Sequence, residues 1–224
     1  MSVDENLRRV RERLSEAATR AGRDPAGITL IAVSKMHTVE AIRAAIDAGV
    51  NTFGENKVQE ADGKIAELGR ETAKWHLIGH LQSNKARKAV QLFDVIESLD
   101  SLELAQRLER ICIEEDRDRL DVFIQVDLGD EDTKSGIPQN DLPPLIDFLD
   151  GCERLKLAGL MTLPPFFDDA EDARPFFLRL RKMRDELVPN AALSMGMSND
   201  FEVAIEEGST HVRVGTAIFG SRVK

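Results

Sequence analysis

A single lysine ends the first apolar run of the sequence. The run ITLIAVSK covers residues 28–35, and alternation along an extended chain places Ile31, Val33 and Lys35 on one face. An amine above apolar side chains is partly desolvated, which lowers its pKa and favours the neutral form that attacks carbonyl carbons. Lys35 is therefore a candidate for forming a Schiff base, although a structural lysine that extends its ammonium into water has the same spacing.

Two segments near the C-terminus contain residue types that bind phosphate. Ser198 in MGMSND (195–200) is positioned to cap a following helix, and in RVGT (213–216) Gly215 permits close backbone approach while Thr216 adds a hydroxyl at another helix start. Hydroxyls and free N–H groups at helix starts bind phosphate. Each position alone has a simpler interpretation, as a helix cap or a turn residue.

The elements that carry these residues alternate along the chain. Short runs rich in branched apolar residues are followed by stretches with helical periodicity and cap signals, including Ser2 with Glu5, Thr38, and Asp100 with Glu103. The pattern predicts eight strands, at residues 28–35, 50–56, 74–80, 94–100, 120–128, 155–163, 191–197 and 210–216.

Strands that alternate with helices predict parallel βαβ units, and eight such units fit a single (β/α)₈ TIM barrel. An open doubly wound sheet is the alternative. In a barrel the site lies at the carboxyl ends of the strands, and phosphate sites often follow strands seven and eight, as Ser198 and Gly215 do. No linker or shift of composition marks a boundary, so one domain over residues 1–224 is expected.

Composition excludes several classes of function. The 224 residues are 42% hydrophobic, which excludes general disorder, and the net charge of −10 disfavours nucleic acid and anionic membranes as partners. No apolar run is long enough for a membrane helix and the N-terminal segment is charged, so we expect a cytoplasmic protein. Cys112 and Cys152 lie far apart, and neither they nor the histidines have metal-ligand spacing.

A reactive amine and a phosphate site at one barrel mouth predict a ligand that has both an aldehyde and a phosphate. Pyridoxal 5′-phosphate (PLP) is the common cofactor of that description. Sugar phosphates that form lysine Schiff bases are the competing ligand class, and an aldolase acting on them would have no yellow chromophore.

Six motifs resemble, in this order, those of the pyridoxal phosphate homeostasis protein family: IAVSK, FGENKVQE, WHLIGHLQSNK, GLMTLPP, SMGMSND and HVRVGTAIFGSR. The resemblance spans residues 30–222. It implies a single barrel similar to the N-terminal domain of bacterial alanine racemase, without its second domain. It also implies that PLP is bound as an internal aldimine on Lys35.

The same resemblance assigns the other cofactor-binding residues. Phosphate would be held by Ser198, Gly215 and Thr216, with Asn56 beside the ring and Arg213 facing the pyridine nitrogen. Because a guanidinium only donates hydrogen bonds, the ring nitrogen that it faces is expected to stay unprotonated. Such a ring is a weak electron sink, which disfavours transamination and decarboxylation but leaves two-base racemisation open.

Racemisation requires a proton donor on each face of the substrate, and in alanine racemase a tyrosine serves one face. This sequence has no tyrosine, and His80, at the end of the third run, is the nearest substitute. Lys57 follows GEN where many relatives have an aromatic residue. The roles of Lys57 and His80 are left open.

The sequence therefore predicts a monomeric PLP-binding protein of intracellular vitamin B6 homeostasis. It would carry PLP and deliver it to PLP-dependent apoenzymes without a dedicated reaction. A PLP-dependent amino-acid racemase is the alternative, and the missing tyrosine and second domain count against it.

Overall fold

Eight parallel strands close into a barrel in the computed structural model, which describes residues 2–129 and 136–220. The strands pair in chain order, and the last pairs with the first, with Ile31 opposite Arg213. The predicted (β/α)₈ barrel is thus confirmed, and the open sheet is wrong. The strands are β1 Thr29–Val33, β2 Thr52–Glu55, β3 Lys74–Leu77, β4 Val95–Leu99, β5 Leu120–Gln125, β6 Leu155–Met161, β7 Ala192–Ser194 and β8 His211–Val214.

Helices follow the strands and cover the outer face of the barrel. In the described ranges they are α1 Val3–Arg20, α2 Val39–Asp47, α3 Val58–Leu68, α4 Ala86–Leu92, α5 Leu102–Glu114, α6 Leu142–Asp150, α7 Arg174–Leu187, α8 Phe201–Glu206 and α9 Thr216–Phe219. Short 3₁₀ turns occur at Pro25–Gly27, Arg70–Thr72, Ser83–Lys85, Gln139–Asp141 and Ala170–Ala173. None of these helices is long and apolar enough to cross a membrane.

Two of the three caps predicted for helices α1, α2 and α5 are confirmed. Ser2 and Glu5 form the reciprocal capping box of α1, and the Thr38 hydroxyl accepts from the first turn of α2. The predicted box of Asp100 and Glu103 is wrong. The hydroxyl of Ser101, one residue later, accepts from the Leu104 N–H at 3.2 Å and begins α5.

The core has two layers. Between the strands and the helices, large side chains such as Phe53 and Trp75 are fully buried, with ring centroids 5.5 Å apart. Inside the barrel, Val95, Phe123 and Met161 form a smaller apolar cluster. The helices and strands therefore bury apolar side chains in both layers.

Candidate functional site

The carboxyl ends of the strands surround a cavity of about 480 Å³. All six residues predicted to bind a ligand line it, namely Lys35, Asn56, Ser198, Arg213, Gly215 and Thr216. They come from the ends of β1, β2, β7 and β8, which are far apart in sequence. The barrel therefore brings together an amine, a guanidinium and two hydroxyls in a space of the size typical of a cofactor site.

Lys35 follows β1 and is half-buried, on a backbone fixed on both sides. The carbonyl of Ser34 accepts a hydrogen bond of 2.7 Å from the Lys64 ammonium. The N–H of Met36 donates to Glu60 Oε1 at 2.5 Å, and Met36 has a φ of +63°. Positive φ is costly for a side chain of this kind, so the two flanking bonds hold a tight turn that fixes the position of the Lys35 backbone.

The Lys64 ammonium is the centre of a buried network behind Lys35. It lies 2.7 Å from Oε1 of Glu55 and 2.7 Å from Oε1 of Glu60. Burial raises the pKa of Glu55, although hydrogen bonds from Lys64 and Ser34 oppose that shift. Sequence reasoning missed this network, but the i,i+4 spacing of Glu60 and Lys64 indicated at least one of its pairs.

Ser198, Gly215 and Thr216 lie together, but Ser198 is not the predicted helix cap. The helix α8 begins after Asp200, and the Ser198 hydroxyl instead accepts from the N–H groups of Gly215 at 3.2 Å and Ala217 at 3.3 Å. Gly215 caps α9, and Thr216 is its first residue, as predicted. Ser198 therefore links the loop after β7 to the loop after β8, because its oxygen accepts hydrogen bonds from the start of α9.

Asn56 is held against the loop after β3. A methyl group at Gly79 would lie 2.3 Å from the Asn56 carbonyl oxygen and 2.8 Å from its Cα. Such distances are far inside van der Waals contact, so only glycine allows this approach. The position of Asn56 in the cavity thus depends on the absence of a side chain at residue 79.

Arg213 points from β8 into the interior and is 2% exposed. Its Nη1 donates to Ser194 Oγ at 2.5 Å, and its Nη2 donates to the Thr162 carbonyl at 2.8 Å. Burial lowers the pKa of Arg213, and the carboxyls of Glu97 and Asp200 oppose that effect. Since guanidinium pKa values are so high, the side chain stays a charged donor at the floor of the cavity.

Several cavity residues were not predicted. Asp200 is buried, accepts from the Met197 N–H at 2.6 Å, and has a pKa raised by burial. Apolar contacts are added by Val33, Ile78, Leu163, Pro164, Phe166, Phe167, Ala170, Ala173 and Met197, with Asn199 beside them. The cavity therefore combines many apolar side chains with a few polar groups, which suits a flat ring.

The residues left open in the sequence lie outside this cavity lining. His80 Nδ1 is 3.0 Å from Asp100 Oδ2, and its side chain is 53% exposed. Lys57 is exposed at the start of α3. Cys112 and Cys152 are buried free thiols, and burial raises the pKa of each to about 11. The described residues contain no group of three or more His, Cys, Asp or Glu that could hold a metal ion.

A larger cavity, of about 710 Å³, lies at the amino ends of the strands. His76, His211 and Phe123 line its inner end, and Arg11 and Lys74 lie nearer its rim. Ligand chemistry in barrels of this kind is located at the carboxyl ends of the strands, where loops can vary without disturbing the core. The location of the smaller cavity at the carboxyl ends of the strands, and the six candidate residues that line it, therefore favour it as the functional site.

Comparison with known proteins agrees with the resemblance found in the motifs. The sequence matches the family described as alanine racemase, N-terminal domain, over residues 5–223. It is 41% identical to the pyridoxal phosphate homeostasis protein of Aquifex aeolicus (strain VF5), over 99% of each chain. It is 44% identical to the Escherichia coli (strain K12) protein of the same name, over 98% of this chain and 97% of the relative.

A solved structure gives the same result. PipY of Synechococcus elongatus PCC7942, solved with PLP bound, is 41% identical and superposes with a TM-score of 0.81. The match covers 94% of this chain and 100% of PipY. The chain therefore belongs to the pyridoxal phosphate homeostasis protein family, with the barrel of the alanine racemase N-terminal domain family.

Proposed function

We propose that this protein binds PLP in the cavity at the carboxyl ends of the strands and takes part in intracellular PLP homeostasis. The observation that carries the proposal is that all six candidate residues line that one cavity. Relatives with this function in their name match over nearly the full chain, and PipY was solved with PLP bound. The proposal treats residues 1–224 as one PLP-binding domain.

The residues present fit the chemical groups of PLP. The Lys35 amine would hold the cofactor through the PLP aldehyde, as a Schiff base, because a neutral amine is the nucleophile that reacts with such a carbonyl. Hydroxyls of Ser198 and Thr216, with the close backbone at Gly215, suit the phosphate. Asn56 and the apolar side chains of the cavity would lie beside the ring.

Arg213 would face the pyridine nitrogen and donate a hydrogen bond to it. PLP supplies an electron-accepting ring when it is bound, and that capacity is greatest when the ring nitrogen is protonated. A guanidinium cannot accept a hydrogen bond, so the pyridine nitrogen beside it would stay unprotonated. The site is thus suited to holding PLP rather than to reactions that need strong carbanion stabilisation.

The side chains that line this cavity favour the carriage and delivery of PLP over racemisation. The chain has no tyrosine, and His80 is bonded to Asp100 outside the cavity lining, so neither supplies a second proton donor there. Asp200 is the carboxyl in the described lining, and the Met197 N–H already occupies one of its oxygens. The proposal also includes three points that rest on the sequence. PLP-dependent apoenzymes receive the cofactor, and the protein is a cytoplasmic monomer.

An absorbance titration with PLP tests the proposal. We expect a near-visible Schiff-base band in the native protein and in Lys57→Ala, which changes a nearby exposed lysine, but not in Lys35→Ala. The loaded protein should also restore activity to the apo form of a PLP-dependent enzyme. Absence of the band, or its survival in Lys35→Ala, would contradict the binding proposal. Racemisation of L-alanine or L-serine that is lost in Lys35→Ala would contradict the carrier function.

A further inference from the structure

The barrel interior contains a polar chain that PLP binding does not by itself explain. Its members are His76, Glu97, Ser194 and Arg213, and none is more than 3% exposed. They lie on β3, β4, β7 and β8, so the chain crosses the inside of the barrel. A buried carboxylate is costly unless it balances a charge or satisfies donors. The carboxylate of Glu97 is linked through Ser194 to Arg213, which lines the candidate site.

The hydrogen bonds of this chain have a fixed direction. Desolvation acts to raise the pKa of Glu97, but the His76 hydrogen bond and the Arg213 charge oppose it and the pKa is lowered to about 2, so Glu97 is ionised. Its Oε1 accepts from His76 Nδ1 and its Oε2 accepts from Ser194 Oγ, both at 2.6 Å. The one hydroxyl proton of Ser194 is therefore used, which leaves the oxygen as an acceptor for Arg213 Nη1 at 2.5 Å.

The charges of Glu97 and Arg213 support the same link between these two residues. Arg213 Nη1 lies 4.0 Å from Glu97 Oε2, with Ser194 bridging them. The other titratable groups around this pair are Asp200, whose carboxyl also acts on Arg213, and His76 and His211 near Glu97. Burial lowers the pKa of His211 to about 4, so His211 is neutral near pH 7. Glu97, fully buried and 4.0 Å from Arg213 Nη1, therefore helps to balance the Arg213 charge together with Asp200.

We propose that Glu97 is a positioning residue for Arg213, acting through Ser194 to hold the guanidinium in a single orientation toward the cavity. Ser194 and the Thr162 carbonyl fix two of the five N–H donors, so the remaining donors have a defined direction. The consequence for PLP, which rests on the proposed function, is an unprotonated ring nitrogen. Without Glu97 the guanidinium can turn away and water can protonate that nitrogen.

Nuclear magnetic resonance of the ligand-free protein tests the positioning independently of PLP. We expect resolved Arg213 Nη1 and Nη2 signals in the native protein, assigned by Arg213→Lys, and averaged signals in Glu97→Gln and in Ser194→Ala. Ser194→Ala removes only one hydroxyl, so it tests the positioning of Arg213 even if Glu97→Gln does not fold. The control is Glu207→Gln, because Glu207 pairs with Arg174 and Arg181 and lies outside the cavity lining.

The effect on the cofactor is measured with ¹⁵N-labelled PLP. Its pyridine nitrogen should stay unprotonated on acidification in the native protein and in Glu207→Gln, but titrate in Glu97→Gln and Ser194→Ala, with about tenfold weaker PLP binding. Native-like arginine signals and an unprotonated nitrogen in both interior variants would overturn the inference. If no protein forms an adduct on Lys35, the proposed function fails, while the ligand-free spectra still decide the positioning of Arg213.

Discussion

Replacement of Lys64 by methionine should destabilise the protein strongly. The lysine side chain is 9% exposed, and its ammonium donates to Ser34, Glu55 and Glu60. The change leaves the fully buried Glu55 carboxylate without a countercharge, and breaking a buried pair in this way costs about 3–5 kcal/mol. Glu60 adds little to the cost because it is 26% exposed and can be hydrated.

Urea unfolding at pH 7, extrapolated to water, measures this loss of free energy. The matched control is Lys88→Met, since Lys88 and Asp62 form an ion pair of similar length, 2.8 Å, whose side chains are 45% and 44% exposed. That pair should contribute less than about 1 kcal/mol. The double variant Lys64→Met with Glu55→Gln should recover much of the loss, because it also removes the stranded charge.

The loss should also depend on pH in a defined direction. Burial raises the pKa of Glu55 and the Lys64 hydrogen bond opposes this, so without Lys64 the pKa rises further. A carboxyl with a raised folded-state pKa destabilises the protein above that pKa, and the cost is relieved as the pH falls through it. The difference between Lys64→Met and the native protein should therefore shrink on acidification. Equal losses for the Lys64 and Lys88 variants, or a difference that grows in acid, would refute the reasoning.

Three further predictions have defined outcomes. Gly79→Ala should lower the free energy of unfolding by about 1–3 kcal/mol and weaken PLP binding, because its methyl would overlap Asn56. The control Gly63→Ala, with open space in α3, should raise the free energy of unfolding by about 0.5–1 kcal/mol. Equal unfolding free energies for the two variants would contradict this. Ser198→Ala should raise the PLP dissociation constant about tenfold, measured by absorbance titration, and an unchanged constant would remove Ser198 from the site. At pH 8 the thiols of Cys112 and Cys152, with pKa values raised to about 11, should resist iodoacetamide in the folded protein and react after unfolding, and rapid native labelling would contradict their burial.

The barrel could be predicted because each strand is a short branched apolar run that is followed by a helix signal. The predicted runs extend past the observed strands at their carboxyl ends; the first, predicted over 28–35, ends as a strand at Val33. Some of the extra residues, including Lys35, Asn56 and Gly215, leave the sheet and line the cavity, whereas His80 lies outside the lining. Alternation in a sequence does not distinguish a strand from the extended loop that continues it.

The contacts that could not be predicted link distant parts of the chain. Ser198 has a sequence suited to a helix cap, yet its oxygen accepts from N–H groups 17 and 19 residues away. Glu97 carried a detectable signal, as a carboxylate in the middle of the apolar run DVIESLD, but its partners His76 and Ser194 lie on other strands. Spacing reports local geometry, whereas the closed barrel determines which interior residues meet.

Borohydride reduction of the PLP-loaded protein, followed by peptide mass mapping, tests the central claim most directly. The account predicts one stoichiometric pyridoxyl adduct on Lys35, in the peptide that contains IAVSK. The exposed Lys57 should remain unmodified at the same PLP concentration. An adduct spread over surface lysines, or one centred on a residue outside the cavity, would contradict the assignment of this cavity as the PLP site.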